Sequence, residues 1–238
     1  MKKFISFLTL FLLGFLPYLK AENNSSLNQY QNQTLFIDQS SSVPFVCEVV
    51  SLSPTQLAVG MKEVELKEKK ISKMSSSKLE KYLYENPEPV VKGFAKKLYI
   101  IDHHHLARAL YELGIKNTYC VLMADLSNMS ESSFWEEMEN RKWVYMYDEY
   151  GNGPMPYSQL PENVSGLKDD PYRSLAGAVR EEGGYEKSEE PFAEFKWADF
   201  FRKYFSREEL EKNYEECVKK AVKLAHSKEA SNLPGWIP

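Results

Sequence analysis

The chain has 238 residues, 43% of them hydrophobic, and a formal net charge of −4. That is enough apolar chain to bury a core without a disulfide or metal framework, and the acidic balance does not suit tight, sequence-blind binding to nucleic acid. Cys47, Cys120 and Cys217 lie far apart without a CxxC pair, which excludes a zinc knuckle or redox dithiol; each reads as a small buried residue, though one pair could bridge in an oxidising compartment.

Residues 1–21 read as a secretory signal peptide of bacterial type. Lys2 and Lys3 form the basic start, Phe4 to Leu19 the apolar run, and Leu19-Lys20-Ala21 the cleavage site. The run is shorter than the roughly 20 residues a spanning helix needs. No later stretch is long enough either. The mature chain is therefore expected to be exported, periplasmic or extracellular, with no stable membrane span. Residues 22–42, rich in Asn, Gln and Ser, read as a flexible leader.

Residues 42–52 (SVPFVCEVVSL) are apolar and β-branched and predict a strand, broken by Ser53-Pro54. Residues 59–71 read as a short strand and a charged turn. SSSKLEKYLYENP (75–87) predicts a helix with a serine cap, an apolar face of Leu79, Tyr82 and Leu83, and a stop at Pro87. Residues 89–102 predict a hairpin around Lys92-Gly93. A helix follows over 103–113, closed by Gly114. Residues 117–126 read as a strand and 130–142 as a helix capped by Ser130 or Ser132. WVYMYD (143–148) could be a strand, and 149–166 is loop, dense in Gly, Pro and Asn. Asp169-Asp170-Pro171 opens a helix that ends at Gly183-Gly184. Residues 191–205 are aromatic and helical. Residues 206–227 predict one long amphipathic helix with a stripe of Leu210, Tyr214, Cys217, Val218, Ala221 and Leu224. Strands alternate with helices in the first half, and the second half is mostly helical. The fold class is α/β (α+β): a small sheet with helices, followed by a mostly helical C-terminal part.

The stretch LYIIDHHHLARALYELG (98–114) holds three of the four histidines. Asp102 is the expected N-cap. Leu106, Ala109, Leu110 and Leu113 recur at helical spacing and face the core. That spacing lets His104, His105 and Arg108 converge at the mouth of the helix. A helix N-terminus offers free N–H groups and partial positive charge to a phosphate, and Arg108 adds a guanidinium fork. The same dipole favours neutral imidazoles at His104 and His105, which can act as a base or bind a metal. Consecutive helical residues point about 100° apart, so only two of the three could share one ion. Arg173 and Arg180, seven apart on one helix, share a face and offer a second phosphate contact, with Tyr172 and Lys187 near in sequence. Phe192, Phe195, Trp197, Phe200, Phe201 and Tyr204 read as core rather than a base-stacking platform. Glu194 and Asp199 are the acids to watch as metal ligands or bases.

The run of strand, hairpin, YIIDHHHLARAL, helix and CVLMADL strand resembles the ParB/sulfiredoxin superfamily, and within it the ParB-like nuclease branch. The superfamily pattern is Asp-Gly-x-His-Arg-x-x-Ala at a strand-to-helix junction. Asp102, His105 and Ala109 match it, within the DHHHLARAL motif of residues 102–110. His103 stands where Gly is usual and Leu106 where Arg is usual; Arg108 could stand in from one side. No cysteine lies in the motif, so sulfiredoxin chemistry is not implied. The resemblance continues into residues 169–187 and 191–203. It implies a ParB/sulfiredoxin-like domain over 43–128, a family-specific α-rich extension over 129–205 and a C-terminal helix and tail over 206–238. It also implies a nuclease or phosphodiesterase acting on a nucleic acid or nucleotide phosphate. His104 or His105 would be the base or a metal ligand, Asp102 would orient a histidine, and Arg108, Arg173 and Arg180 would hold phosphate. Metal-assisted hydrolysis with Mg²⁺ or Mn²⁺ fits that reading. The alternatives are a nucleotide-binding or phosphotransfer module of the same fold, and a non-catalytic envelope protein that holds an anionic ligand.

Overall fold

A computed structural model of the chain describes residues 43–238; the expected signal peptide and leader lie outside the described residues. Five strands form the main sheet: β1 (Phe45–Glu48), β2 (Leu52–Pro54), β4 (Glu88–Lys92), β5 (Leu98–Ile100) and β6 (Asn117–Asp125), in the order β1-β6-β4-β5-β2. The central pair β4 and β6 runs parallel, and β1 lies antiparallel on β6. β5 returns antiparallel on β4, as the Lys92-Gly93 hairpin predicts, and β2 lies parallel on β5. Two short strands, β3 (Ala58–Val59) and β7 (Lys168–Asp169), pair separately and in parallel.

Eight helices occur among the described residues: α1 (Met61–Ile71), α2 (Ser76–Glu85), α3 (His104–Glu112), α4 (Glu131–Asn140), α5 (Pro171–Glu181), α6 (Ala193–Phe201), α7 (Arg207–Lys212) and α8 (Tyr214–Ala225). The mixed α/β class and the helical C-terminal part are as the sequence predicts. One core joins Val90, Ile100 and Cys120 of the sheet to Val64 of α1, Leu83 of α2 and Leu106, Ala109 and Leu110 of α3. A second gathers Val91, Tyr99 and Ala124 against Phe134, Trp135 and Met138 of α4. The third is the aromatic centre of the C-terminal helices, around Leu175, Trp197, Phe201 and Leu210. Among the described residues no helix is long and apolar enough to cross a membrane.

The local signals hold where side chains cap their own helix. Ser75 accepts from Lys78 N, Ser130 from Ser133 N and Asp170 from Tyr172 N, each at the predicted start. Four readings change. Residues 42–52 are not one strand: a 3-10 turn at Val49–Ser51 splits them, and Ser53 and Pro54 belong to β2. Residues 61–71 are helix α1, not a turn, because Val64 and Ile71 lie on one face and are buried. Residues 143–148 carry a single bridge, Tyr145 to Gln56, rather than a strand. The long C-terminal helix breaks at Asn213, where φ of −136° ends α7 and opens α8.

Cys47 and Cys120 form a disulfide between β1 and β6, while Cys217 is buried and free. Gly60, just ahead of α1, supplies room rather than unusual backbone. A Cβ there would stand 2.6 Å from the backbone nitrogen of Ser174 in α5. Gly60→Ala therefore forces α1 and α5 apart, and we expect it to cost about 2 kcal/mol, by analogy with overpacked cores. A shifted denaturation midpoint at unchanged slope is the measure.

Candidate functional site

β5 runs into α3 through Ile101, Asp102 and His103. His103 has φ 61° and ψ 17°, in the left-handed region, and is the residue that opens the helix. A side chain there is strained, which gives a physical reason for glycine at this place in the superfamily pattern. Asp102 does not cap α3. Its Oδ1 accepts from His103 N at 2.7 Å, and no side chain caps the helix. The first-turn amides are thus left without a side-chain partner, as at anion-binding helix ends.

Two backbone amides fix the next two rings. Thr55 N donates to His104 Nε2 at 3.1 Å, and Gly60 N donates to His105 Nε2 at 3.1 Å. The Thr55 hydroxyl donates to Ile100 O at 2.8 Å. A backbone N–H can only donate, so each Nε2 carries a lone pair and each Nδ1 carries the proton. Both rings are neutral N–H donors. Burial is the first cause, holding the His104 imidazole down at about 3 and His105 well below the usual range; the neighbouring histidines and Arg173 act in the same sense on His104, and Arg173 on His105. In both rings the lone pair a base needs is thus bonded to a backbone amide. His103 differs: its Nδ1 is buried and has no hydrogen-bond partner.

These shifts have a stability consequence. In the unfolded chain His104 takes a proton below its ordinary value of 6.5, but in the fold only near 3. Between those values the unfolded state binds more protons, so stability falls as pH drops, by at most about 1.4 kcal/mol per unit from this one group. Denaturation at a series of pH values from 7 to 4 should show that slope, and His104→Gln should reduce it to what His105 contributes in the same direction.

Arg173 and Arg180 share the α5 face that the sequence predicts. Arg173 is only 4% exposed. Its Nη2 donates to Glu194 Oε2 at 3.1 Å, its guanidinium lies 4.2 Å over the Phe195 ring, and its Nε and Nη1 have no partner. Arg180 pairs with the same Glu194 carboxylate and with Glu181. His103, His104, His105, Arg173 and Arg180 all line one cleft of about 830 Å³, with Asp102, Lys187, Trp143, Phe192 and Phe195. The histidine turn and the two arginines therefore share one site. Phe192 and Phe195 belong to the cleft wall, while Trp197, Phe200 and Phe201 are core.

Other candidates lie elsewhere. Arg108 Nη1 donates to Leu167 O at 2.8 Å and Val164 O at 3.3 Å, and its Nε donates to Glu112. It pins the 164–167 turn to α3 and is not among the cleft residues. Tyr172 is buried, with its hydroxyl bonded to Phe205 O. Asp199 pairs with Arg202.

Sequence reasoning missed Glu63. Its Oε1 is buried without a hydrogen-bond partner, 3.9 Å from His105 Nε2. Burial raises its carboxyl above the usual range, against the pull of Arg173 and Arg180. Gly177 makes the room, because a Cβ there would collide with the Glu63 carboxylate. Reading α1 as a helix would have found it, since Glu63 then sits beside buried Val64 in the first turn.

The donor set suits an anion. Among the described residues no three His, Cys, Asp or Glu side chains group to hold a metal ion, and the Glu194 carboxylate is committed to two arginines. The expected Mg²⁺ or Mn²⁺ would find no cage of three such side chains among the described residues.

No curated protein matches the chain. The crystal structure of protein Atu1540 from Agrobacterium tumefaciens is similar at 39% identity and a TM-score of 0.75, covering 82% of this chain and 97% of that one. Residues 45–203 match the family described as "Putative ParB-like nuclease". That match spans the sheet, the histidine turn and both cleft arginines, and on it the chain belongs to the ParB-like nuclease family.

Proposed function

We propose that the chain is an exported nuclease or phosphodiesterase whose cleft holds a phosphoryl group of a nucleic acid or nucleotide. The observation that carries this is the buried Arg173 guanidinium, with two unpartnered nitrogens in a cleft it shares with three histidines. Buried guanidinium N–H groups left unbonded are costly unless an anion completes their bonds. Arg173 and Arg180 would clamp phosphate oxygens. The Nδ1–H groups of His104 and His105 and the free amides of α3 would add donors where charge builds in the transition state. His103, which lines the cleft, would take the proton of the attacking water as its oxygen bonds phosphorus; the leaving oxygen departs and gains a proton from solvent. Phe192 and the uncovered face of Trp143 would offer a base a surface to stack on, while Phe195 is held between Arg173 and Tyr145. The Cys47–Cys120 disulfide supports export, since such bonds persist in oxidising compartments. The division at about residue 128 belongs to the same reading.

The test incubates purified protein with single- and double-stranded DNA, RNA and bis-p-nitrophenyl phosphate, with Mg²⁺, Mn²⁺ or EDTA, beside His103→Ala and Arg173→Gln. Cleavage lost in both variants is the expected result. Phosphate binding without cleavage under any condition would leave a binding module, and cleavage equal in all three proteins would place the activity outside this cleft.

A further inference from the structure

Glu194 occupies an unusual position. One of its oxygens accepts from Arg173 and the other pairs with Arg180, so a single carboxylate bridges the two guanidinium groups of the cleft. A bridging carboxylate and a phosphoryl group make the same kind of contact with paired arginines. Glu194 is not locked in by packing: its side chain is 31% exposed, while that of Arg173 is 4% exposed. It stands in the first turn of α6, behind Phe192, whose φ of 61° is left-handed. Phe192 and Phe195, on either side of it, form the aromatic wall. Even with Glu194 seated, Arg173 Nε and Nη1 remain unpartnered, so the carboxylate fills the seat incompletely.

We infer that Glu194 is an internal stand-in for the phosphoryl ligand, seated between Arg173 and Arg180 and displaced when a phosphate enters. This rests on the phosphate-cleft reading above. Displacement would swing the partly exposed carboxylate out of the seat and leave both guanidinium groups to the phosphate. The resting protein would bind phosphate weakly, by the fraction of time the seat is empty.

The test is calorimetric titration of the full chain at about pH 8 with thymidine 5′-monophosphate, mostly a dianion there, and with its methyl ester, a monoanion. Glu194→Gln should tighten both probes by a common factor of about ten or more. Glu194→Asp keeps the charge but is too short to span both arginines, and should give a smaller gain of the same sign; it also carries the test if Glu194→Gln folds poorly. Glu190→Gln is the charge control, because Glu190 lines the same cleft but pairs with Lys196; it should change either affinity by no more than about twofold. Three results would overturn the inference: no gain in Glu194→Gln, an equal gain in Glu190→Gln, or a gain for the dianion near the square of that for the monoanion. The last is what simple charge removal gives if the residue never leaves its seat. If no variant binds either probe, the phosphate-cleft reading falls as well. If binding follows expectation and no strand is cut, only the nuclease step falls.

Discussion

Arg173→Gln should weaken the binding of a nucleotide or short oligonucleotide by on the order of a hundredfold while leaving the melting temperature nearly unchanged. The two halves of this expectation have one source. Arg173 is a buried cation that bonds one carboxylate and leaves Nε and Nη1 unused. A buried charge with incomplete bonding contributes little to stability, because its desolvation offsets its pairing. The same groups are strong donors to an anion that enters the cleft, and truncating one charged partner of a buried, hydrogen-bonded charge pair costs about 2–5 kcal/mol. Arg108→Gln should do the reverse. That side chain ties Val164 and Leu167 to α3, so its loss should lower stability and leave affinity alone. Titration calorimetry and thermal melts on the two variants check both halves; a large stability loss in Arg173→Gln with unchanged affinity would make it a structural arginine.

This crossed pair also marks how far the sequence could be read. Arg108 and Arg173 look alike as residues, and helical spacing puts Arg108 nearer the histidines. What separates them is the 164–167 turn, which reaches α3 across 56 or more residues and takes the Arg108 donors. The roles of His104 and His105 are set in the same way. Their neutrality was legible from the helix end, although burial rather than the dipole is the leading cause. Their use as donors was not, because the amides that claim each Nε2 belong to Thr55 and Gly60, 49 and 45 residues away.

The fold divides along the same line. α2, α4 and α5 were legible because Ser75, Ser130 and Asp170 bond the amides of their own first turns. α1 was not, because Lys and Glu dominate it, Leu66 is exposed off the buried face, and its packing against α5 depends on Gly60 and Gly177 far apart in the chain. Residues 206–227 have the stripe of one helix, yet Asn213 lets the chain turn so that Leu210 and Cys217 can both reach the aromatic core. In each case a local signal was correct about type and silent about partners.

Removing the Cys47–Cys120 disulfide should cost about 4 kcal/mol, the loop-closure value for its 73-residue separation, and lower the melting temperature by roughly 10 °C. The bond matters more than its chain entropy alone suggests. β1 is an edge strand held by four residues of pairing with β6, and its neighbour Pro44 and the β6 residues Val121 and Met123 line the cleft. Without the covalent tie, β1 is the strand with least to hold it, and the wall it supports loosens with it. Cys47→Ala/Cys120→Ala and the reduced wild type should therefore behave alike: lower denaturation midpoints, and a further weakening of nucleotide binding that the oxidised protein does not show. Cys217 is buried in the other core, beside Val218 and Ala221, and has no route to exchange with the pair, so Cys217→Ala should leave the reductant sensitivity as it is. A double variant as stable as the oxidised wild type would mean that β-pairing alone fixes β1; the disulfide would then report the compartment in which the chain folds and contribute nothing to the cleft.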